Sequence, residues 1–523
     1  MPNCWWFFVA VAIAIGATPC AAGERVSLAR RIGLKISPET TIIDGPLTVE
    51  GLPDYVVHLN SKLSRGVEPE DNFWALMWDV FGHSGRLTAE ERATSERWLG
   101  VRIPAEGRLR IGLLDYSILD QVCRSPWTRD QFPDAANWVE ANAEALATAA
   151  RAAERSRAFA PLQTNRDEKY PPTCVHLPQL DSISEVGRLL AARSMLRLGE
   201  GDPEGAWRDL MTHFRIARHV EGGWCALDLL IAWNLRSQAG EALTSWISGA
   251  DPSAEELEWR LTELKPLLAT RPMAEIVEGE GLQFADAVIS VASGTVAPEA
   301  VAEMGFRMVR PDLEQPPDSS PMRHAQGVIQ QLENQLIRSH LMTYRSDCNA
   351  ALRTGVETFT ELREALSLPT HPARRERLIG IRSRLEKANE RLAVPGAVIA
   401  EMLQSRSDHL GETAARYALH GPIESFVHLE VRQTRAEARS RILLAALRLK
   451  ALLAAGAKRP SLWSDLNWDS GDVADPFSGE PLKLRSDERT IAIWSVGPNG
   501  TDDYDEAKPD AETDDIRTVL RLR

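Results

Sequence analysis

The sequence predicts a mainly α-helical chain, an irregular helical array followed by a small α+β module. Three observations carry this. Apolar residues recur at spacings of three and four through most of the 523 residues, with cap signals at the segment ends. Glycine and proline break these patterns into short helices. Period-two alternation, the mark of a strand, is concentrated after Gly456. The 44% hydrophobic content allows a large core and two to four domains.

Taken in order, Trp5 to Ala17 is an apolar run of thirteen residues, and no charged side chain precedes Glu24. With small residues at Ala21-Ala22-Gly23, residues 1–22 read as a signal peptide, or as an N-terminal anchor if uncut. Export to the periplasm or cell envelope follows. Beyond the leader lie Cys123, Cys174, Cys225 and Cys348, too far apart for a Cys-x-x-Cys metal site. Two disulfides or four buried free thiols both fit.

Residues 23–178 form an N-terminal helical region. Asn72-Phe73-Trp74-Ala75-Leu76-Met77-Trp78-Asp79-Val80-Phe81 reads as a buried helix stopped by Gly82, and Thr88 with Glu91 as a capping box. Asp134 to Phe159 is alanine-rich and reads as one helix, and Pro161 to Pro178 as a connector.

Residues 179–309 form the central array. Asp202 caps a helix with Pro203 in its first turn and Ala206, Leu210, Phe214 and Ala217 inward. Ser253 and Glu256 are spaced as another capping box. Residues 310–321 carry four prolines and read as a linker, and 322–420 as a further helical region. His371 to Arg391 holds seven basic residues against three glutamates, which suits a solvated helix face.

Residues 421–523 are the module. From Pro422 to Gly456 a single apolar stripe runs through Val427, Val431, Ala438, Ile442, Ala445, Leu449 and Leu452. Asp475-Pro476-Phe477-Ser478-Gly479-Glu480-Pro481 is a turn. Leu482 and Leu484 alternate with Lys483 and Arg485, and Ile491 to Val496 supplies a partner strand. Gly497-Pro498-Asn499-Gly500 ends the pairing, and Thr518 to Leu522 reads as the last strand. Between Asp502 and Asp515 stand eight carboxylates and one lysine, a net of −7 and half the chain's formal −14.

The module resembles the soluble part of the type II secretion major pseudopilin. The resemblance rests on the Asp475-Pro476-Phe477 turn, the strand end Ser495-Val496-Gly497 and the closing run Thr513-Asp514-Asp515-Ile516. It implies a long helix packed on a small antiparallel sheet, and a loop that holds Ca²⁺. Asn499, Asp502, Asp503, Asp505 and Asp515 are the ligands it implies. This chain has Asn499 and Thr513 where the family has aspartates, and lacks the family's Phe-Thr-Leu-Ile-Glu start. A solvated acidic loop is the other reading. Residues 51–101 resemble uncharacterised exported bacterial proteins with such C-termini. Gly201-Asp202-Pro203-Glu204 resembles a tetratricopeptide turn, but no 34-residue period recurs.

Catalytic signatures are thin. Gly82-His83-Ser84-Gly85 departs from a nucleophile elbow at Arg86. Asp209 and His213, one turn apart, are spaced to pair. His420, Glu424 and His428 share a face, but the histidines are about 12 Å apart along the axis, too far for one metal. The leading functional reading is a cell-envelope structural or interaction protein, its partner another envelope protein. The alternative is an envelope hydrolase whose site is assembled from distant residues. The acidic charge argues against nucleic acid, and membrane contact is expected only through an uncut leader.

Overall fold

The structure, a computed structural model, describes residues 27–112, 114–165, 170–174, 177–296, 347–392, 406–460, 462–466, 468, 471, 473–487, 489–503 and 515–521. The leader, the 310–321 linker and Asp505 lie outside the described residues. Mainly helical with a small three-stranded antiparallel sheet near its C-terminus, the chain has the fold class its patterning predicts.

The N-terminal region runs α1 (Leu28–Arg31), α2 (Tyr55–Leu63), α3 (Phe73–Phe81), α4 (Ala89–Leu99), α5 (Tyr116–Arg124), α6 (Pro133–Ala141) and α7 (Ala143–Ala153). On α3, Phe73, Trp74, Met77, Trp78, Val80 and Phe81 are all buried. Gly82 ends it at φ 68°, where a side chain would strike the crossing backbone at Gly107. Thr88 and Glu91 form the expected reciprocal cap of α4.

The single alanine-rich helix expected from 134 to 159 is instead two, broken at Asn142. Its buried side chain accepts from the Arg110 N–H at 2.7 Å and donates to the Arg110 and Trp138 carbonyls at 2.9 Å. Such side-chain bonding competes with the helical ladder and here wins.

The central block is α8 (Pro178–Gly199), α9 (Pro203–Glu221), α10 (Ala226–Gly249) and α11 (Ala254–Leu268), followed by α12 (Val277–Ser293). Asp202 Oδ1 caps α9 through the Gly205 N–H at 2.8 Å. Ala206, Leu210, Phe214 and Ala217 are fully enclosed between α8 and α10, as their spacing predicts. Ser253 and Glu256 form the reciprocal cap of α11.

Further on lie α13 (Cys348–Leu366), α14 (His371–Leu392) and α15 (Ser407–Ala454). The sequence reading starts the last helix at Pro422, whereas α15 begins at Ser407 and passes through that proline. An internal proline costs about 3 kcal/mol. Burial of Leu410, Ala415, Leu419, Ile423 and Phe426 on its apolar side offsets that cost. At 48 residues α15 is roughly 72 Å long, and it packs on α10, α11, α13, α14 and the sheet. The charged α14 is only partly solvated, since Leu378, Ile381 and Leu385 are buried.

The sheet has the order β1-β2-β3, with β1 (Lys483–Ser486), β2 (Thr490–Ser495) and β3 (Ile516–Arg521). Leu484 lies opposite Ile493, and Ile491 opposite Leu520. Both faces of the central strand are buried, so its alternation has no solvent side. Leu482, Ile491 and Ile493 join Ala438, Ile442 and Leu449 of α15 in one apolar core that also reaches α3 and α8–α10. The module therefore shares its interior with the array.

Candidate functional site

The acidic loop leaves β2 through the Gly497–Gly500 turn, closed by the Gly500 N–H on the Gly497 carbonyl, with both glycines at positive φ. Asn499 Oδ1 accepts from the Thr501 N–H at 2.8 Å, and Asn499 Nδ2 donates to Asp503 Oδ2 at 2.6 Å. The Asp503 N–H donates to Asp515 Oδ2 at 3.1 Å, drawing the residue before β3 onto the loop. Asp502 is held separately, its Oδ1 accepting from the Trp494 indole at 2.9 Å. Of the five ligands implied by the sequence resemblance, Asn499, Asp503 and Asp515 are brought together, Asp502 stands beside them, and Asp505 is not described. Among the described residues, no group of three or more His, Cys, Asp or Glu side chains is arranged to hold a metal.

The loop is mounted on Asp475, which is buried. Asp475 Oδ1 accepts from the Phe477 N–H at 3.0 Å and the Ser495 hydroxyl at 2.8 Å, while Oδ2 accepts from the Val496 N–H at 2.9 Å. One carboxylate thus shapes its own turn and fixes the strand end from which the loop springs.

Phe477 then packs its ring against His371 of α14, with centroids 4.8 Å apart and near perpendicular. His371 contacts Glu430 of α15 at 2.9 Å, and Arg374 Nε donates to the same carboxylate at 2.9 Å. Thr434 donates to Glu430 at 3.0 Å and accepts from Arg374. Burial alone would raise the Glu430 carboxyl, but His371 and Arg374 together hold it below the ordinary carboxylate range. Sequence reasoning missed this network. Its only local signals are the one-turn spacings of His371 with Arg374 and of Glu430 with Thr434.

Other buried ions are matched in the same way. Asp209 does not pair with His213. It takes a two-pronged contact from Arg193 at 2.6 and 3.0 Å and a third from Arg197 at 2.9 Å. Glu221 accepts from Arg218 and Arg236, both at 2.9 Å, and from the Arg271 N–H. Arg260, 2% exposed, lies against the rings of Trp207 and Trp246 at 5.0 and 4.9 Å and pairs with Glu204.

The His420, Glu424 and His428 set divides. His428 meets Glu424 at 3.2 Å, Arg382 meets Glu424 at 3.4 Å, and His420 lies 4.0 Å from Glu386. The four described cysteines are free thiols, and burial pushes each above its ordinary pKa.

A cavity of about 30 Å³ is bounded by Trp74, Phe159 and Trp224, with Gln179, His219 and Asp228 contributing polar groups. That volume suits about two waters, whereas ligand pockets run to roughly 300–1,000 Å³.

Neither a protein-family model, a curated protein nor a solved structure matches the chain.

Proposed function

We propose that the chain is an exported cell-envelope protein with a structural or protein-interaction role. It is a helical scaffold closed by a pseudopilin-like module that takes Ca²⁺. The observation that carries this reading is where the buried carboxylates go. Asp209, Glu221, Glu430 and Asp475 each tie separate segments together through cations or backbone donors. The ionisable groups work as internal fasteners of a scaffold that is organised along α15.

The calcium reading is supported by the meeting of Asn499, Asp503 and Asp515 at the mouth of an oxygen-rich loop. The donor set fits in part. Asp515 and Asp503 would supply carboxylate oxygens and Asn499 a side-chain carbonyl, and bound Ca²⁺ would offset their mutual repulsion. The partner is another envelope protein, for which the exposed Tyr116 and Trp259 are suitable aromatic anchors. Membrane contact belongs to the N-terminal segment if it stays uncut.

The test is the intact mass of the exported protein together with photo-crosslinking from positions 116 and 259 in cells. The mature chain is expected to begin at Gly23 and to give one discrete envelope adduct. A cytosolic protein still carrying Cys4 and forming no adduct overturns the reading.

A further inference from the structure

The sequence spacing offers His213 as a partner of Asp209, but the structure leaves this imidazole alone in the interior. It lies at the middle of α9, 0% exposed, on a helix that also buries Leu210, Phe214 and Ala217. Neither ring nitrogen has a hydrogen-bond partner among the described residues. From α8 it meets Gly187, where an added Cβ would fall 2.9 Å from His213 Nε2 and 2.5 Å from Leu235 of α10. Gln238 of α10 reaches the same point and is uncharged. The three helices close on the ring there so tightly that an added methyl group on Gly187 would not fit.

Among the described residues, the buried and half-buried charges of the packed helices are engaged elsewhere, and Arg208 of α9 is exposed. On α9 itself, Asp209 is held by Arg193 and Arg197 of α8, and Arg215 by Glu154 and by Glu263 of α11. On α8, Arg188 pairs with Glu185, and on α10, Arg236 pairs with Glu221. On α7, Arg151 turns to Thr148 and Glu144 to Arg108. None of them offsets a proton on the imidazole. Burial alone acts on it, holding its pKa down to about 3.

We propose that His213 makes the α8–α9–α10 interface an acid-sensitive lock, closed at neutral pH and released when only the opened interface can accept a proton on this ring. The physical reason is that an imidazolium without a counter-charge is unfavourable in a buried interface where Leu235, Gly187 and the neutral amide of Gln238 meet it. Opening lets water reach it. α10 also packs against α15, so release of the block loosens the helix on which the C-terminal module is seated.

The sign follows from linkage. An opened His213 titrates near its ordinary 6.5, whereas the closed one stays neutral to about 3. The ratio of opened to closed block therefore begins to rise below pH 6.5 and has risen about thirtyfold by pH 5.

Hydrogen exchange on the full-length chain reads this ratio directly, after correction for the intrinsic pH dependence of exchange. In the wild type, protection of α9 is expected to fall about thirtyfold between pH 7.5 and pH 5. His213→Leu and His213→Gln, neither of which can take the proton, are expected to keep their protection across that range. An equal fall in both variants overturns the proposal. If neither variant folds, the ring of His213 in wild type, followed by NMR with labelled histidine, decides. A ring that stays neutral in the closed protein at pH 5 supports the lock, and one that titrates above pH 5.5 with α9 still protected overturns it.

Discussion

The Val496 N–H donates to the buried carboxylate of Asp475 across 2.9 Å, joining the end of β2 to a turn 21 residues earlier in the chain. The same carboxylate receives the Phe477 N–H and the Ser495 hydroxyl. A single acidic side chain therefore sets the departure of the 499–503 loop, and its turn carries the aromatic ring that touches α14.

Asp475→Ala is expected to lower the stability of the full chain by about 3 kcal/mol or more. It leaves two backbone donors and a hydroxyl unmatched in a buried site, at roughly 1–3 kcal/mol each and less than additively. Urea unfolding of variant and wild type measures the loss. A midpoint unchanged by the substitution would mean that the turn is held by its prolines and its backbone hydrogen bonds without the carboxylate.

Leu449→Asp tests the stripe on α15. Leu449 is fully enclosed in the core that contains Leu482, Ile491 and Ile493. An unpaired carboxylate there is expected to cost several kcal/mol. Because this core continues into α8–α10, the loss should appear in one cooperative transition of the whole molecule. A separate early melt confined to the sheet signals, with the helices intact, contradicts the shared core.

What was legible in the sequence is what local chemistry decides. The capping boxes at Thr88 and Ser253, the Gly82 stop, the inward face of α9 and the hairpin of β1 and β2 follow from spacing alone. The failures lie where a distant residue decides. Nothing near Asn142 announces that Arg110 will accept its side chain and break a helix. Pro422 reads as a start signal, and only the packing of α15 along α13 and α14 shows why the helix runs through it. Asp209 has a histidine one turn away but is claimed by two arginines of another helix. For the candidate site, the composition of the loop was visible, while its mounting on Asp475 and the contact of Phe477 with His371 were not.

Asp286 of α12 gives a pH-dependent prediction of opposite sign to that of His213. Its carboxyl is buried and accepts from the Thr173 N–H and hydroxyl at 2.8 Å, and burial raises its pKa to about 6. A raised folded-state value means that its contribution is fully present below about pH 4 and is lost as pH rises through about 6. The loss amounts to about 3 kcal/mol over that window. Asp286→Asn cannot ionise, so its stability relative to wild type should climb by that amount between pH 4 and pH 7. Denaturant unfolding at pH 4, 5, 6 and 7 follows the difference, in which the His213 effect cancels. Parallel curves for the two proteins would show that Asp286 ionises in the fold without penalty.

Calcium gives the last prediction, with Asp515 as its ligand of first interest. Asp515 keeps both the position and the residue type that the pseudopilin resemblance requires, and it reaches the loop through the Asp503 N–H. Closing that loop sets the Asp515 carboxylate on the Asp503 N–H within a segment of net charge −7, whose carboxylates repel one another. Ca²⁺ with six to eight oxygens at about 2.3–2.6 Å relieves this repulsion. Binding confined to the native state raises stability by about 2.7 kcal/mol at a hundredfold excess over Kd. The full chain is the right subject, because the module does not own a separate core. Thermal melting in calcium and in EGTA should differ for wild type and coincide for Asp515→Ala. The variant should also melt somewhat lower in EGTA, having lost the acceptor for the Asp503 N–H, so the calcium-dependent difference is the decisive readout. If wild type melts alike in both buffers, the loop is a solvated acidic turn, and its carboxylates are kept apart by water instead of being joined by an ion.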